Sequence, residues 1–349
     1  MTVVRIGTRG SKLALVQAAE VKQLIEAQLA TASGSGATRL GSLGTTADVI
    51  VVKTSGDEFG PVATASGSGA TALVGPDTKE VGLPSVKGMF VKELEEALLD
   101  GRVDLAVHSA KDLPTELIPA LALGAVLPRR DPRDAVVTRD GQPLTQLSPG
   151  ARIGASSLRR QAQLKRLCRD AEVLPIRGNV DTRLRKLDEG QYDAIILAAC
   201  GLERLGFDAR IAERLATRDM LPAPGQGALA IEVRADREDL RPLCAALDDA
   251  ASRQAVSAER ALLRSLGGGC QVPIGALATI DASGNLTLEG AVFSVDGLRA
   301  IRQTLTGPRQ DAERIGITLA SHLRAKGADR ILFGQKASTW QQRTAPSTS

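Results

Sequence analysis

The chain has little histidine, little cysteine and few aromatic rings. Among 349 residues there are two His, four Cys, five Phe, one Tyr and one Trp. The cysteines, Cys168, Cys200, Cys244 and Cys270, are widely separated, so no CxxC pair or zinc-ligand spacing exists and no metal site is expected. Scarce rings remove the stacking platforms that single-strand nucleic-acid binders need. No apolar run approaches the roughly 18 residues of a membrane span. Met1 to Gly10 lacks the apolar core of a secretion signal. The expected compartment is therefore the cytoplasm, whose reducing conditions keep the thiols free, with neither a membrane nor a nucleic acid as partner.

What is present is an ordinary globular mixture, 43% hydrophobic and 24% charged, in a length that suits two or three domains. Forty-four basic residues stand against 40 acidic ones, a net charge of +4 and a pI near 9.0. The basic set is lopsided, with 33 Arg and 11 Lys. Arginine's planar fork matches two carboxylate or phosphate oxygens at once, so the expected ligand is a multiply charged oxyanion.

Short β-branched runs alternate with helical patterns through the first two thirds, which predicts α/β architecture with largely parallel sheets. Strands are expected at Val3–Ile6, Asp48–Val52 and Val103–Val107, then again at Arg152–Ala155, Glu172–Ile176 and Ala194–Leu197. Helices are expected at Lys12–Gln28, capped by Ser11 and with Leu13, Val16 and Leu24 on one face, around Val91 to Leu98, and at Ser156–Arg169 and Val180–Glu189. Beyond Ala250 the pattern becomes helix, three strands and helix, a small α+β domain, and residues 335–349 read as a frayed tail. The string ATASGSGAT occurs at Ala30–Thr38 and again at Ala63–Thr71. Its composition reads as a duplicated flexible insertion.

Charged motifs fall just beyond the strands, which is where open α/β sheets place their binding crevice and where helix N-termini favour anions. They are Arg9 and Ser11; His108, Lys111 and Asp112; Ser156, Ser157, Arg159 and Arg160; and Arg177 and Asn179. The crevice should be strongly cationic. Asp112, beside Lys111 in HSAKDLP, is the carboxylate that could balance a developing cation or move a proton, although a structural role neutralising Lys111 fits the local sequence equally. His108 reads as a satisfied core histidine. Cys270 lies in GGGCQVPIG, where three glycines open the backbone, so a modified thiol and an inert one are both consistent with the local sequence. The segment PAPGQGAL has the spacing of neither a P-loop nor a dinucleotide fingerprint and reads as a crossover hinge. A cationic two-lobed crevice alone would also suit a non-catalytic anion carrier.

Together the strings TRGSKLAL, KTSGD, KGMFVKELE, DLAVHSAKDLP, GASSLRRQAQL, IRGNVDTRL, YDAIILAACGLERLG, PAPGQGAL and GGGCQVPIGA resemble the porphobilinogen deaminase family, from about Val3 to Phe333. The resemblance implies a transferase that joins four porphobilinogen molecules head to tail, releasing ammonia and finally hydroxymethylbilane. It implies a dipyrromethane cofactor held by a thioether on Cys270. Each pyrrole carries an acetate and a propionate, which suits the arginine excess. By the same resemblance Asp112 is catalytic and touches the cofactor, and Lys111, Ser157, Arg159, Arg160 and Arg183 bind the cofactor. Arg9, Ser11, Arg177 and Arg183 bind substrate, Lys87 and Phe90 belong to a mobile segment over the site, and Gln226 sits at the hinge. Ala155 stands where the family commonly has a hydroxyl. The implied fold has two periplasmic-binding-protein-like α/β lobes around a cleft, residues 1–127 with 224–246 and residues 128–223. A small α+β C-terminal domain spans 247–334, a long lid loop spans 58–86, and the protein is expected to be monomeric.

Overall fold

The computed structural model describes residues 3–34, 46–54, 88–268 and 272–334. Three sheets organise them. The first has the order β2 (Ala47–Val51), β1 (Val4–Thr8), β3 (Leu105–Ser109), β10 (Leu229–Arg234), β4 (Leu121–Val126). The second has the order β7 (Glu172–Leu174), β6 (Arg152–Gly154), β8 (Ala194–Ala198), β5 (Asp134–Thr138), β9 (Glu213–Arg214). In each, four of the five strands run in one direction and the fourth in order is antiparallel to both its neighbours. That antiparallel strand is the one by which the chain crosses over, β5 on entering the second lobe and β10 on returning to the first. The third sheet is an antiparallel meander, β11 (Ile274–Ile280), β12 (Asn285–Phe293) and β13 (Ala300–Pro308).

The lobes repeat one another in detail. In the first, the Arg5 backbone N–H and Nε donate to Asp104 Oδ2 at 2.8 and 3.0 Å, and Nη2 donates to Oδ1 at 3.0 Å. In the second, Arg152 makes the same three bonds to Asp193 at 2.8, 3.2 and 3.1 Å. Each bracket ties the second or first residue of an Arg-Ile-Gly strand to the acid just before the neighbouring parallel strand. The same register therefore sets the same strand ends toward the cleft in both lobes.

Helix α1 (Lys12–Gly34) covers the first sheet with Ala14, Ala18, Val21, Ile25 and Leu29, a stripe of period 3.6. The expected face of Leu13, Val16 and Leu24 is the wrong one: Val16 and Leu24 are exposed, because small Ala and Val side chains let the helix sit closer to the strands. The helix also runs through the first residues of the ATASGSGAT copy at Ala30, a correction to its reading as loop, since alanine propagates a helix already nucleated by packed turns. The second copy, at Ala63–Thr71, lies outside the described residues. Helix α2 (Gly88–Leu99) packs Val91, Leu94, Ala97 and Leu98 on the opposite face of the first sheet.

Helices α3 (Leu158–Leu167), α4 (Val180–Asp188) and α5 (Ala199–Arg204) belong to the second lobe. Helix α6 (Arg241–Leu247) returns to the first, where Leu243 and Leu247 join its core. Helices α7 (Ala250–Ser265) and α8 (Ala312–Ala325) pack on the meander through Ala258, Leu262, Leu288 and Leu319, and α9 (Ala328–Leu332) closes the unit. Among the described residues no helix is long and apolar enough to cross a membrane.

Candidate active site

The carboxyl ends of β1, β3, β6 and β8 face one another across a cleft of about 740 Å³. Strand β1 delivers Arg9 and Ser11, and Ser11 Oγ accepts from the Ala14 N–H at 3.3 Å, capping α1 as its sequence predicts. Strand β3 runs to Ser109 and passes into a single 3-10 turn, Ala110–Asp112, which sets Lys111 and Asp112 half-buried in the cleft wall. Strand β6 delivers Ser156, Ser157, Arg159 and Arg160 into the start of α3, and Gly178, Asn179 and Arg183 come from the turn and helix after β7. The cleft ends on Leu263, Val272 and Ile274, which bracket the loop containing Cys270. Cys270 itself lies outside the described residues, as does Lys87, and the Phe90 side chain is likewise not described.

Beneath this surface lies a buried polar hub. Asp134, at the start of β5, has no exposed surface. Its Oδ2 accepts from Arg159 Nη1 at 2.7 Å, and its Oδ1 accepts from Arg160 Nη2 at 2.7 Å and Nε at 3.1 Å. Arg159 and Arg160 also donate to the Leu221 and Ile196 carbonyls. Burial alone would raise the Asp134 pKa, but the two guanidiniums outweigh it and hold the carboxyl well below its usual range. Gln226, fully buried on the returning crossover, donates to Asp134 Oδ1 at 2.9 Å and to the Pro132 carbonyl at 2.7 Å, and accepts from Lys111 Nζ at 3.3 Å. The hinge glutamine thus joins both crossovers to the turn that carries Asp112.

Lys111 is pushed below its ordinary pKa, first by burial and further by the Arg160 charge, while the Asp112 carboxylate opposes that shift. Arg183 is likewise lowered to about 10, by burial and then by Arg160, and its Nε donates to the Gly178 carbonyl at 2.7 Å. An added carboxylate would relieve this crowding of positive charge. Arg159 Nε is buried with no hydrogen-bond partner among the described residues.

The structure redraws part of the sequence-based picture. His108 lies within β3 rather than beyond it, is not among the cleft-lining residues, and sits 3.0 Å from the buried Glu232 carboxylate. Arg177 is exposed and outside the cleft lining. Arg159 and Arg160 line the cleft, yet much of their donor capacity goes to Asp134 and backbone carbonyls. Sequence reasoning missed Asp134, Gln17, Arg204 and Glu259. Glu259 on α7 is fully buried and accepts from Arg129, from the Gly225 N–H at 2.6 Å and from the Ala278 N–H at 2.7 Å, tying the third domain to the hinge. The acid in the Arg-rich string DPRDA was the available signal for Asp134, but its burial depends on strands that meet only in the fold.

A two-lobed α/β protein with a cationic cleft, whose lining also includes Asp112 and Asp181, and with a third domain at the cleft's end, is built to bind a multiply charged anion. Residues 4–242 match the family model of the porphobilinogen deaminase dipyromethane cofactor-binding domain, and residues 253–325 match the porphobilinogen deaminase C-terminal domain. The chain belongs to the porphobilinogen deaminase family. It is 47% identical over 331 residues to the porphobilinogen deaminase of Syntrophotalea carbinolica, covering 95% of each chain. It is 46% identical over 327 residues to that of Bordetella parapertussis, covering 94% of each. Among solved structures, a putative methionine-binding lipoprotein from Bacillus subtilis is similar with a TM-score of 0.39 and 13% identity, over 71% of this chain and 91% of that one.

Proposed function

We infer that this cleft carries out the reaction of the family, the head-to-tail polymerisation of four porphobilinogen molecules into hydroxymethylbilane with loss of ammonia, in tetrapyrrole biosynthesis. The observation that carries the assignment of roles is the placement of Asp112 and Lys111 on one turn, facing arginines and helix N-termini across a cleft that ends at the segment bracketing Cys270. The residues present suit the dipyrromethane cofactor of this family. Its carboxylates would meet Lys111, Ser157, Arg159, Arg160 and Arg183, where the crowding of positive charge at Arg183 favours an added anion, and Cys270 would hold it by a thioether. When bound, the cofactor supplies the nucleophilic pyrrole carbon to which the first substrate is joined.

Asp112 is the anionic group placed to balance positive charge on a pyrrole as ammonia departs, and to take the proton released when the new carbon–carbon bond forms. Lys111 stands at its side, held by Gln226, and the two opposite charges support each other against the cost of burial. Arg9 and Ser11 at the head of α1, with Arg183, orient the substrate's acetate and propionate. Arg177, Lys87 and Phe90 are proposed to meet substrate only when the chain rearranges around it. Domain boundaries at 127/128 and 223/224 are supported by β5 and β10 beginning soon after each, while the boundary proposed at 246/247 falls one residue short of the end of α6, whose Leu247 packs in the first lobe, and α7 begins at Ala250. The same proposal has the protein act as a cytoplasmic monomer on a small-molecule substrate without nucleic acid or membrane partners.

Intact-mass spectrometry tests the centre of this reading. The active chain should carry two pyrrole units of added mass, and Cys270→Ser should carry none and be inactive. An unmodified mass in freshly isolated active protein would overturn the assignment.

A further inference from the structure

Leu13 and Gln17 line the cleft from α1, and Glu20 stands three residues further along the same helical face. Its carboxylate reaches out of the first lobe. Oε2 accepts from Arg204 Nε at 3.0 Å, on α5 of the second lobe, and Oε1 accepts from Arg130 Nη2 at 2.9 Å, on the first crossover. The Arg204 side chain is only 3% exposed, and the residue itself lines the cleft. A buried guanidinium needs a carboxylate partner, and in this state the protein supplies one of its own. Two more contacts close the lobes at the same place: Lys12 Nζ lies 3.2 Å from Asp181, and Gly201 abuts Leu13.

We propose that Glu20 is an internal stand-in for a substrate carboxylate, holding Arg204 and latching the lobes until an acetate or propionate of the growing chain takes its place. The proposal rests on the reading of the cleft as a binder of pyrrole carboxylates. No covalent step is involved, since one carboxylate exchanges for another on Arg204. Glu20, half-buried with a 26% exposed side chain, regains water when a substrate carboxylate takes over Arg204, so the buried guanidinium is never left unpaired, and loss of the Glu20 bridge lets α1 and α5 separate as the chain lengthens. Glu20 is a positioning residue: it acts on substrate through Arg204 and competes with it.

The test uses the holoenzyme, with Glu20→Gln and Glu20→Ala compared with Arg204→Gln. Steady-state kcat and KM for porphobilinogen are measured, together with the intact-mass ladder of enzyme carrying one to four added units at limiting substrate. Removing the competing charge should lower KM by about threefold to tenfold with kcat within about twofold, and should shift the ladder toward longer species. Arg204→Gln should raise KM. If both Glu20 variants leave KM unchanged or raise it while Arg204→Gln raises it, Arg204 holds substrate but Glu20 does not compete, and the latch is refuted while the cleft assignment stands. If Arg204→Gln leaves KM unchanged, Arg204 holds no substrate carboxylate, and the latch falls together with that part of the cleft assignment.

Discussion

Asp112 and Asp134 are both acids among arginines, yet their surroundings give them opposite duties. Asp112 is half-buried and lines the cleft, the position from which the proposed reaction would use it. Replacing it by Asn should leave the fold intact and cut porphobilinogen consumption at least tenfold, because acid–base work of this kind is typically worth about a hundredfold to ten-thousandfold. An initial-rate assay retaining more than about a tenth of the activity would reassign Asp112 to structure. Asp134 is fully buried and saturated by Arg159, Arg160 and Gln226. Its folded pKa is depressed below the ordinary 3.8, so its contribution to stability is complete above that value and is lost as pH falls through it toward the folded pKa. Urea titrations of Asp134→Asn should show a loss of about 3–5 kcal/mol at neutral pH and a flatter dependence on acid. Arg159→Lys and Arg160→Lys keep charge but lose the fork, so they should weaken both this hub and the hold on cofactor carboxylates. If stability and activity of both lysine variants match the parent across salt concentrations, a diffuse electrostatic role replaces the bidentate one.

At the scale of elements, most strands and helices were legible because their apolar periods are local. The three strands expected beyond Ala250 are present as the meander, whereas β4, β9, β5 and β10 were not identified. The last two are the crossover strands, and β10 begins directly after a glycine-rich hinge that obscures its pattern. That hinge depends on Gly227, whose φ of +95° places any Cβ 2.4 Å from the Arg130 carbonyl oxygen. Gly227→Ala therefore combines backbone strain with a collision between the two crossovers. It should cost about 1–3 kcal/mol from the strain alone and lower the unfolding temperature, and scanning calorimetry with no shift from the parent would contradict that account.

For the whole molecule, the duplicated Arg–Asp bracket explains why one cleft is lined so symmetrically: each lobe aims the end of its Arg-Ile-Gly strand, and the helix after it, at the same space. The insertion between the lobe-one elements is expected to matter less. The segment from Glu58 to Val86 has no charge between Glu58 and Asp77 and contains none of the proposed site residues. Lengthening a flexible loop costs only about 0.6 kcal/mol per doubling. Deleting Ala63–Thr71 should leave the rate within about twofold and the product four units long, and release of shorter chains on chromatography would make the insertion part of the elongation machinery.

The sequence by itself determined the family and the α/β succession, and it marked a multiply charged oxyanion as the ligand and Asp112 as a candidate carboxylate, because these reside in contiguous strings and in composition. Tertiary structure alone decided which arginines remain available. Arg159 and Arg160 stand side by side in SSLRR with nothing local to distinguish surface from core, and only the arrival of Asp134 and Gln226 from the two crossovers commits them to the hub. Glu20 and Arg204 are 184 residues apart. Their meeting across the lobes is a consequence of long-range packing, since electrostatic pairing depends on distance in space and carries no periodic trace along the chain.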